Sequence, residues 1–328
     1  MTIKFNNVYI ENVSTVAGPF VIEGPLKDNF DKKFTDFYDG EKTFEKCEMK
    51  ELKESIKILL DKTKYNEEDI SFGISADLMN QLTISNFVYS NLNIPFLGVY
   101  NACASVCEEI LIAASILENE KNKKAICTTS SHNMTSERQF RNPVEYGAPK
   151  PKTTTFTVTG AASLMLTNAK TDIKVTSATI GKVIDMGVDN VFDMGAVMSP
   201  SAAYTLNEHL KKTKTKVSDY DLILTGDLGV YGKDIFKEIC EKEYNIKLDK
   251  NYDDTATMIY DYKENIYAGG SGPACMPLVV YSSIIPKMKQ RIIKKVLLIA
   301  TGALMSPTTC NQKFSIPSVS HAVCLEVI

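Results

Sequence analysis

Apolar segments of strand length and amphipathic segments of helix length alternate along this 328-residue chain, and their order is run through twice. Such a rhythm restricts the chain to an α/β architecture, in which helices cover a sheet built by the intervening strands. In the first pass, strands are expected over 4–10, 14–17, 70–74, 96–100 and 124–129, with a strand pair over 154–166 around Gly160; helices are expected over 49–62, 79–91 and 107–117. In the second pass, strands over 173–182, 222–224, 295–301 and 320–327 alternate with helices over 200–212, 233–244 and 275–285. Two halves of like order indicate an internal duplication. The charged, turn-like stretch Asn168–Asp172 places the boundary between residues 1–168 and 169–328.

Within the first half, one junction carries chemistry. The strand ending at Val99 runs through Tyr100-Asn101-Ala102-Cys103-Ala104-Ser105 into an apolar helix, which puts the Cys103 thiol at a helix mouth. Backbone N–H groups and the helix dipole there favour a thiolate, the form in which cysteine attacks carbonyls. A small buried cysteine with no reactivity is the equal alternative at this level.

Composition excludes several classes. Lys+Arg 37 against Asp+Glu 40 gives a net charge of −3, so no global positive field argues for nucleic acid. The cysteines at 47, 103, 107, 127, 240, 275, 310 and 324 form no CxxC pair and no zinc-type cluster, which points to reduced thiols in an intracellular compartment and to no bound metal. The N-terminus lacks the apolar core of a signal peptide, and no window reaches the ~20 apolar residues of a membrane span. Any meeting with a membrane is expected from its surface or through partners.

The duplicated halves, the Gly98-Val99-Tyr100-Asn101-Ala102-Cys103 turn, the late Gly269-Gly270-Ser271-Gly272 loop and the strand ending at Gly302 together resemble the thiolase superfamily of condensing enzymes and acyl-CoA thiolases. More narrowly, Ser130-Ser131-His132-Asn133, the run Gln139–Gly147, Thr157–Ala161 and Thr225-Gly226-Asp227-Leu228-Gly229 are similar to a group of stage V sporulation proteins of spore-forming bacteria, over nearly the whole chain. The broad resemblance implies a five-layer αβαβα fold with two duplicated halves, a homodimer, and a nucleophile at the position of Cys103. The narrow one implies a protein of sporulation and spore germination that binds dipicolinic acid (pyridine-2,6-dicarboxylate) and assists its transport into the developing spore without transforming it. It further implies no organic cofactor, a ligand taken either free or as its calcium chelate, membrane-bound transport proteins as partners, and a place at the spore inner membrane through them.

The residues can be asked which resemblance they support. Condensing chemistry needs a proton acceptor beside the thiol. Where the condensing pattern has one histidine this chain reads Thr225-Gly226-Asp227, and the late glycine loop, which carries a histidine in thiolases, has none. The only histidines are His132, His209 and His321. His132 ends a strand ahead of the unusual motif and is expected to line the site; His209 reads as a solvated helix residue; His321 either faces the pocket or is a satisfied core histidine. Asn265 aligns loosely with an asparagine of the condensing pattern.

Gripping a dianion needs fixed cations, preferably a guanidinium fork, with a flat wall for the ring. Arg138 and Arg141 fall inside the motif, with Phe140 and Tyr146 beside them and Lys150 and Lys152 after. Arg141 is either that fork or the partner of Glu145 in a structural ion pair. Asp227 is a candidate to orient a donor, and the backbone of the loop around Ser271 to receive a carboxylate, although the same glycines suit tight packing. The expected ligand set is therefore Cys103, His132, Arg141, Tyr146, Asp227, Ser271 and His321, in a non-catalytic protein. The alternative is an active acyl transferase or condensing enzyme using Cys103.

Overall fold

A computed structural model describes residues 1–140, 150–261 and 266–328. Ten strands carry the architecture. The first half supplies β1 (Tyr9–Ala17), β2 (Phe72–Ala76), β3 (Phe96–Gly98), β4 (Lys124–Ser131) and β5 (Gly160–Thr167); the second supplies β6 (Ile173–Thr179), β7 (Leu222–Thr225), β8 (Tyr252–Asp254), β9 (Lys295–Ala303) and β10 (Ser318–Val327). Their order across the sheet is β3-β2-β4-β5-β1 and then β6-β10-β9-β7-β8, the same path run outward from the centre in each half. In both halves the first, last and fourth strands are antiparallel neighbours, and the rest are parallel. The duplication read from the chain is thus a repeat of topology.

The halves meet through β1 and β6, paired at Tyr9 with Lys174 and at Ile10 with Ile173. Around that seam they fold face to face. The helices α1 (Phe44–Thr63) and α2 (Thr83–Tyr89) cover the outer face of the first half, and α5 (Met194–Thr213) and α6 (Gly229–Tyr244) that of the second. Between the halves lie α3 (Ser105–Leu117) and a long helix made of Cys275–Val279, a π-turn at Val280–Ile284, and Ile285–Lys289. A short α4 (Asn133–Phe140) follows β4. Layer thus follows layer as αβαβα.

Three cores correspond to this layering. Val106, Ile110 and Leu117 of α3 pack with Ile284 and Met288 and with strand residues of both halves in the middle; Leu52, Ile56 and Ile84 fill one flank; Leu206, Ile223 and Phe236 fill the other. Because α3 is buried around most of its circumference, with Ile116 exposed near its end, its sequence reads apolar nearly all round.

Several expectations change in detail. Residues 9–17, which span the end of the strand expected over 4–10 and all of the one expected over 14–17, form the single strand β1, whose register slips between Ile10 and Asn12; the polar pair Glu11-Asn12 disguises this bulge as a loop. Helix α5 begins at Met194 rather than at Pro200, because the Asp193 carboxylate accepts from Ala196 N–H and starts it a turn and a half earlier. His209, expected on a solvated face, is fully buried: its Nδ1 lies 2.8 Å from Thr179 Oγ1 and its Nε2 3.1 Å from Tyr220 Oη.

Candidate ligand cavity at the thiol turn

The chain leaves β3, passes through a 3-10 turn at Ala102–Ala104 and enters α3, so Cys103 sits half-buried at the head of the central helix. Two devices hold that turn. Ser105 Oγ donates to Ala102 O at 2.7 Å and accepts from Asn101 N–H at 3.3 Å. Beneath it Gly302 of β9 leaves the needed space, since a Cβ there would stand 2.6 Å from the Asn101 carbonyl oxygen. Ala102 takes a left-handed φ of 49°, a conformation that costs an L-residue roughly 1–2 kcal/mol.

The duplication explains what faces the thiol. After its second strand each half has an aspartate followed by leucine, Asp77-Leu78 and Asp227-Leu228, and each has a cysteine near the start of its central helix, Cys103 or Cys275. In the first half Asp77 starts its own helix, accepting from Ser85 N–H and Oγ–H at 2.8 and 2.7 Å and from Met79 N–H at 2.8 Å. In the second, Asp254 takes over that work: it accepts from Leu228 N–H, Gly229 N–H and Thr225 Oγ–H at 3.2, 3.0 and 2.7 Å. Asp227 is thereby released inward. Its Oδ2 accepts from Gly272 N–H at 2.7 Å, and the thiols of Cys103 and Cys275 stand beside the same carboxyl. Burial pushes Asp227 up to about 7 and Asp254 up to about 6, against the pull of those donors.

Above this cluster lies a cavity of about 480 Å3 whose walls come from both halves: the thiol turn, Ser136, Gln139 and Phe140 of α4, Met194 and Met198 of α5, Ser271-Gly272, and 303–308. Its size suits a small organic ligand. Among the described lining residues none carries a charge.

Of the residues singled out from the sequence, the cavity gathers Cys103 and Ser271 on its wall, with Asp227 directly behind them. His132 does not line it. That imidazole is fully buried; Nδ1 accepts from Met134 N–H at 3.2 Å, Nε2 lies 3.0 Å from Phe37 O, and Phe37 and Phe44 pack on the ring. Burial pulls it down to about 4, so the neutral form is held. His321 stands behind the thiol turn rather than in the cavity: Nδ1 accepts from Gly181 N–H at 3.1 Å, and the Asn101 amide lies 3.0 Å from Nε2. It too is pulled down to about 4 by burial, and its role is to brace the residue before the turn.

Two of the basic residues in and after the motif are likewise engaged. Arg138 is ion-paired with Glu45, and Lys150 with Glu137 at 2.9 Å while covering the Phe156 ring. Arg141, Tyr146 and Asn265 lie outside the described residues. The glycine loop does not offer Gly272 N–H to an anion, because Asp227 already takes it. Among the described residues no group of His, Cys, Asp and Glu is arranged to hold a metal ion. Cys275 and Asp254 were not singled out beforehand. The repeated Asp-Leu after each second strand was the available signal, since it marks which positions the duplication equates.

The chain matches the family model for stage V sporulation protein AD over residues 1–326. The stage V sporulation protein AD of Bacillus subtilis (strain 168) is 40% identical over 319 residues, covering 97% of this chain and 94% of that protein. Among solved structures, Xanthomonas campestris OleA superposes with a TM-score of 0.62 at 14% identity, covering 99% of both chains. The 3-oxoacyl-[acyl-carrier-protein] synthase III of Aquifex aeolicus VF5 superposes with 0.58 at 13% identity, covering 97% of this chain and 99% of that one. At such identity these structures show the thiolase-like fold and nothing more about chemistry.

Proposed function

Because this chain belongs to the stage V sporulation protein AD family, we propose that its cavity holds dipicolinic acid and that the protein assists the movement of that diacid into the developing spore without transforming it. The observation that carries the non-catalytic part of this reading is the carboxyl of Asp227 beside Cys103 where condensing chemistry needs an imidazole. An imidazole that takes a thiol proton becomes a cation and stabilises the thiolate it leaves. A carboxylate that takes the same proton becomes neutral and offers no such stabilisation. His132 and His321, the other imidazoles of interest, are fixed elsewhere by their own hydrogen bonds.

Two features support an anionic guest. With Asp227 pushed up to about 7 and no acidic side chain among the described lining residues, a dicarboxylate meets little fixed negative charge there. Arg141 is the next residue in the sequence after Phe140 of the cavity wall, and a guanidinium is the group that pairs best with a carboxylate. Calcium as the chelated companion of the ligand, membrane-bound transport proteins as partners, a site at the spore inner membrane through them, and a homodimer belong to the same proposal. No helix among the described residues is long and apolar enough to cross a membrane.

Calorimetry with dipicolinate tests the reading, and Arg141→Ala should weaken binding more than Cys103→Ala, by about tenfold or more for a lost charge-assisted pair. Equal effects of the two substitutions, or no heat of binding at all, would remove it. The second reading, acyl transfer at Cys103, is favoured by the thiol's place on the cavity wall at a helix head. A stoichiometric acyl adduct on Cys103 after exposure to acyl-CoA, read by intact mass, would select it.

A further inference from the structure

We propose that a lysine-rimmed groove on the second half is a docking face for an anionic membrane surface. The groove lies away from the thiol turn, where the C-terminal ends of α5 and α6 come together with the segments that follow them, and has a volume of about 830 Å3. Lys211, Lys216, Lys247 and Lys250 line it, against one lining acid, Asp249. All four lysines are exposed and none forms an ion pair with a described residue. Lys212 and Lys214, exposed in the same Lys211–Lys216 run, extend the positive rim. The other acids of these segments, Glu208, Asp219, Glu238, Glu241 and Glu243, do not line the groove: Asp219 accepts from Lys216 N–H at 2.8 Å, Glu238 is paired with Lys242, and Glu208 and Glu243 stand near Tyr244 on the groove wall, so the positive character is that of the lining itself and not of the whole surface around it.

Compensation of a helix dipole accounts for Lys211 and Lys212 in the last turn of α5. It does not account for Lys247 and Lys250, which come from the loop after α6, nor for four cations converging on one side of a chain whose net charge is −3. The groove is also poorly made for a single small anion. Several of its donors are spent internally, Thr215 N–H on Leu210 O, Ile246 N–H on Cys240 O, and the Asn251 amide on Val217 O and Tyr220 O. What remains is a set of point charges on flexible stems, spread over an open face, which suits an extended field of negative charge rather than chelation of one phosphate. Each lysine held near an anionic leaflet contributes roughly fivefold in binding, and salt screens the effect. This inference is independent of the dipicolinate reading, since the groove shares no residue with the cavity.

The test is co-sedimentation of the full chain with vesicles of phosphatidylcholine alone or with about a third phosphatidylglycerol. Binding is expected only to the anionic vesicles and is expected to vanish in high salt. The variant Lys211→Glu/Lys216→Glu/Lys247→Glu/Lys250→Glu should lose at least about a hundredfold. Lys53→Glu/Lys57→Glu, on the exposed side of α1 in the other half, should bind as the parent does. If the quadruple variant does not fold, the milder Lys211→Ala/Lys247→Ala should still lose about 25-fold. Binding indifferent to phosphatidylglycerol, equal losses in both sets of variants, or tighter binding to polyadenylate than to the anionic vesicles would each overturn the proposal.

Discussion

Asp227 is the residue on which the site turns, and its burial has a consequence for stability as well as for chemistry. In an unfolded chain an aspartate titrates at roughly 3.9; in the folded protein burial pushes this one up to about 7. Between those values the native state keeps a proton that the unfolded chain has released, so the stability present below the unfolded value is lost as pH rises, and the loss levels off above about 7. Asp227→Asn, which stays neutral, should therefore gain on the parent from about pH 4 to about pH 7 and hold a constant advantage beyond, by an amount on the order of a few kcal/mol. The three histidines, each pulled down to about 4, act with the opposite sign, but they are present in both proteins and cancel in the difference. Urea midpoints of the two proteins compared across this range decide the matter, and a pH-independent difference would refute it. The same residue shows how far the site is legible in the chain. A strand-to-helix junction announces Cys103, and a missing imidazole announces Asp227, because both are statements about residue type at a turn. Whether His132 and His321 face a cavity or a carbonyl depends on where other segments lie, which local sequence does not encode; Phe37, the partner of His132, is 95 residues away.

At the level of elements, the alternation of apolar and amphipathic segments located nearly every strand and helix of the sheet, because buried strands in such folds are short apolar runs bounded by turns. It misjudged starts, where a cap outweighs a pattern: Asp193 starts α5 ahead of Pro200, and a polar bulge hides the middle of β1. It was silent on how helices pack on one another, which rests on single small residues. The contact between α5 and α6 is closed by Gly195 against Gly232; a Cβ on Gly232 would stand 2.5 Å from Gly195 Cα, and the Ser199 hydroxyl bridges the two glycine carbonyl oxygens, 2.6 and 2.8 Å away, sharing its one hydrogen between them. Gly232→Ala places a methyl where backbone already is, so despite the better helix propensity of alanine it should cost about 1–3 kcal/mol by overpacking. The reading is the urea unfolding free energy, and a neutral or stabilising result would mean that the two helices are free to separate.

On the scale of the whole molecule, the edge of the sheet and its middle make different demands. The edge strand β3 exposes Leu97, with Phe87 and Tyr100 exposed nearby, a bare apolar edge of the kind soluble proteins cover. The proposed homodimer would cover it by seating a second copy there. Light scattering should report about twice the 36.4 kDa chain mass, and Leu97→Glu should return the monomer; an unchanged mass in that variant would place the interface elsewhere. The middle carries a stricter constraint on the halves 1–168 and 169–328. Although the repeat makes each half look like a domain, α3 is shared: it packs on β4 and β2 of its own half and on β9 and β10 of the other, and the Cys107 thiol reaches Leu298 O across that contact at 3.8 Å. Cut at the junction, the first half would expose Val106, Cys107 and Ile110, all buried now, and the second would expose Val296, Leu298 and Ala300. At roughly 25 cal/mol per Å2 the lost burial is comparable to the whole margin by which a domain is stable. Neither half should show a cooperative thermal transition alone, whereas mixing them should restore one, since the two faces are complementary. A sharp transition in an isolated half would mean that the central helix needs only one sheet, and that the duplication has left two independent domains side by side.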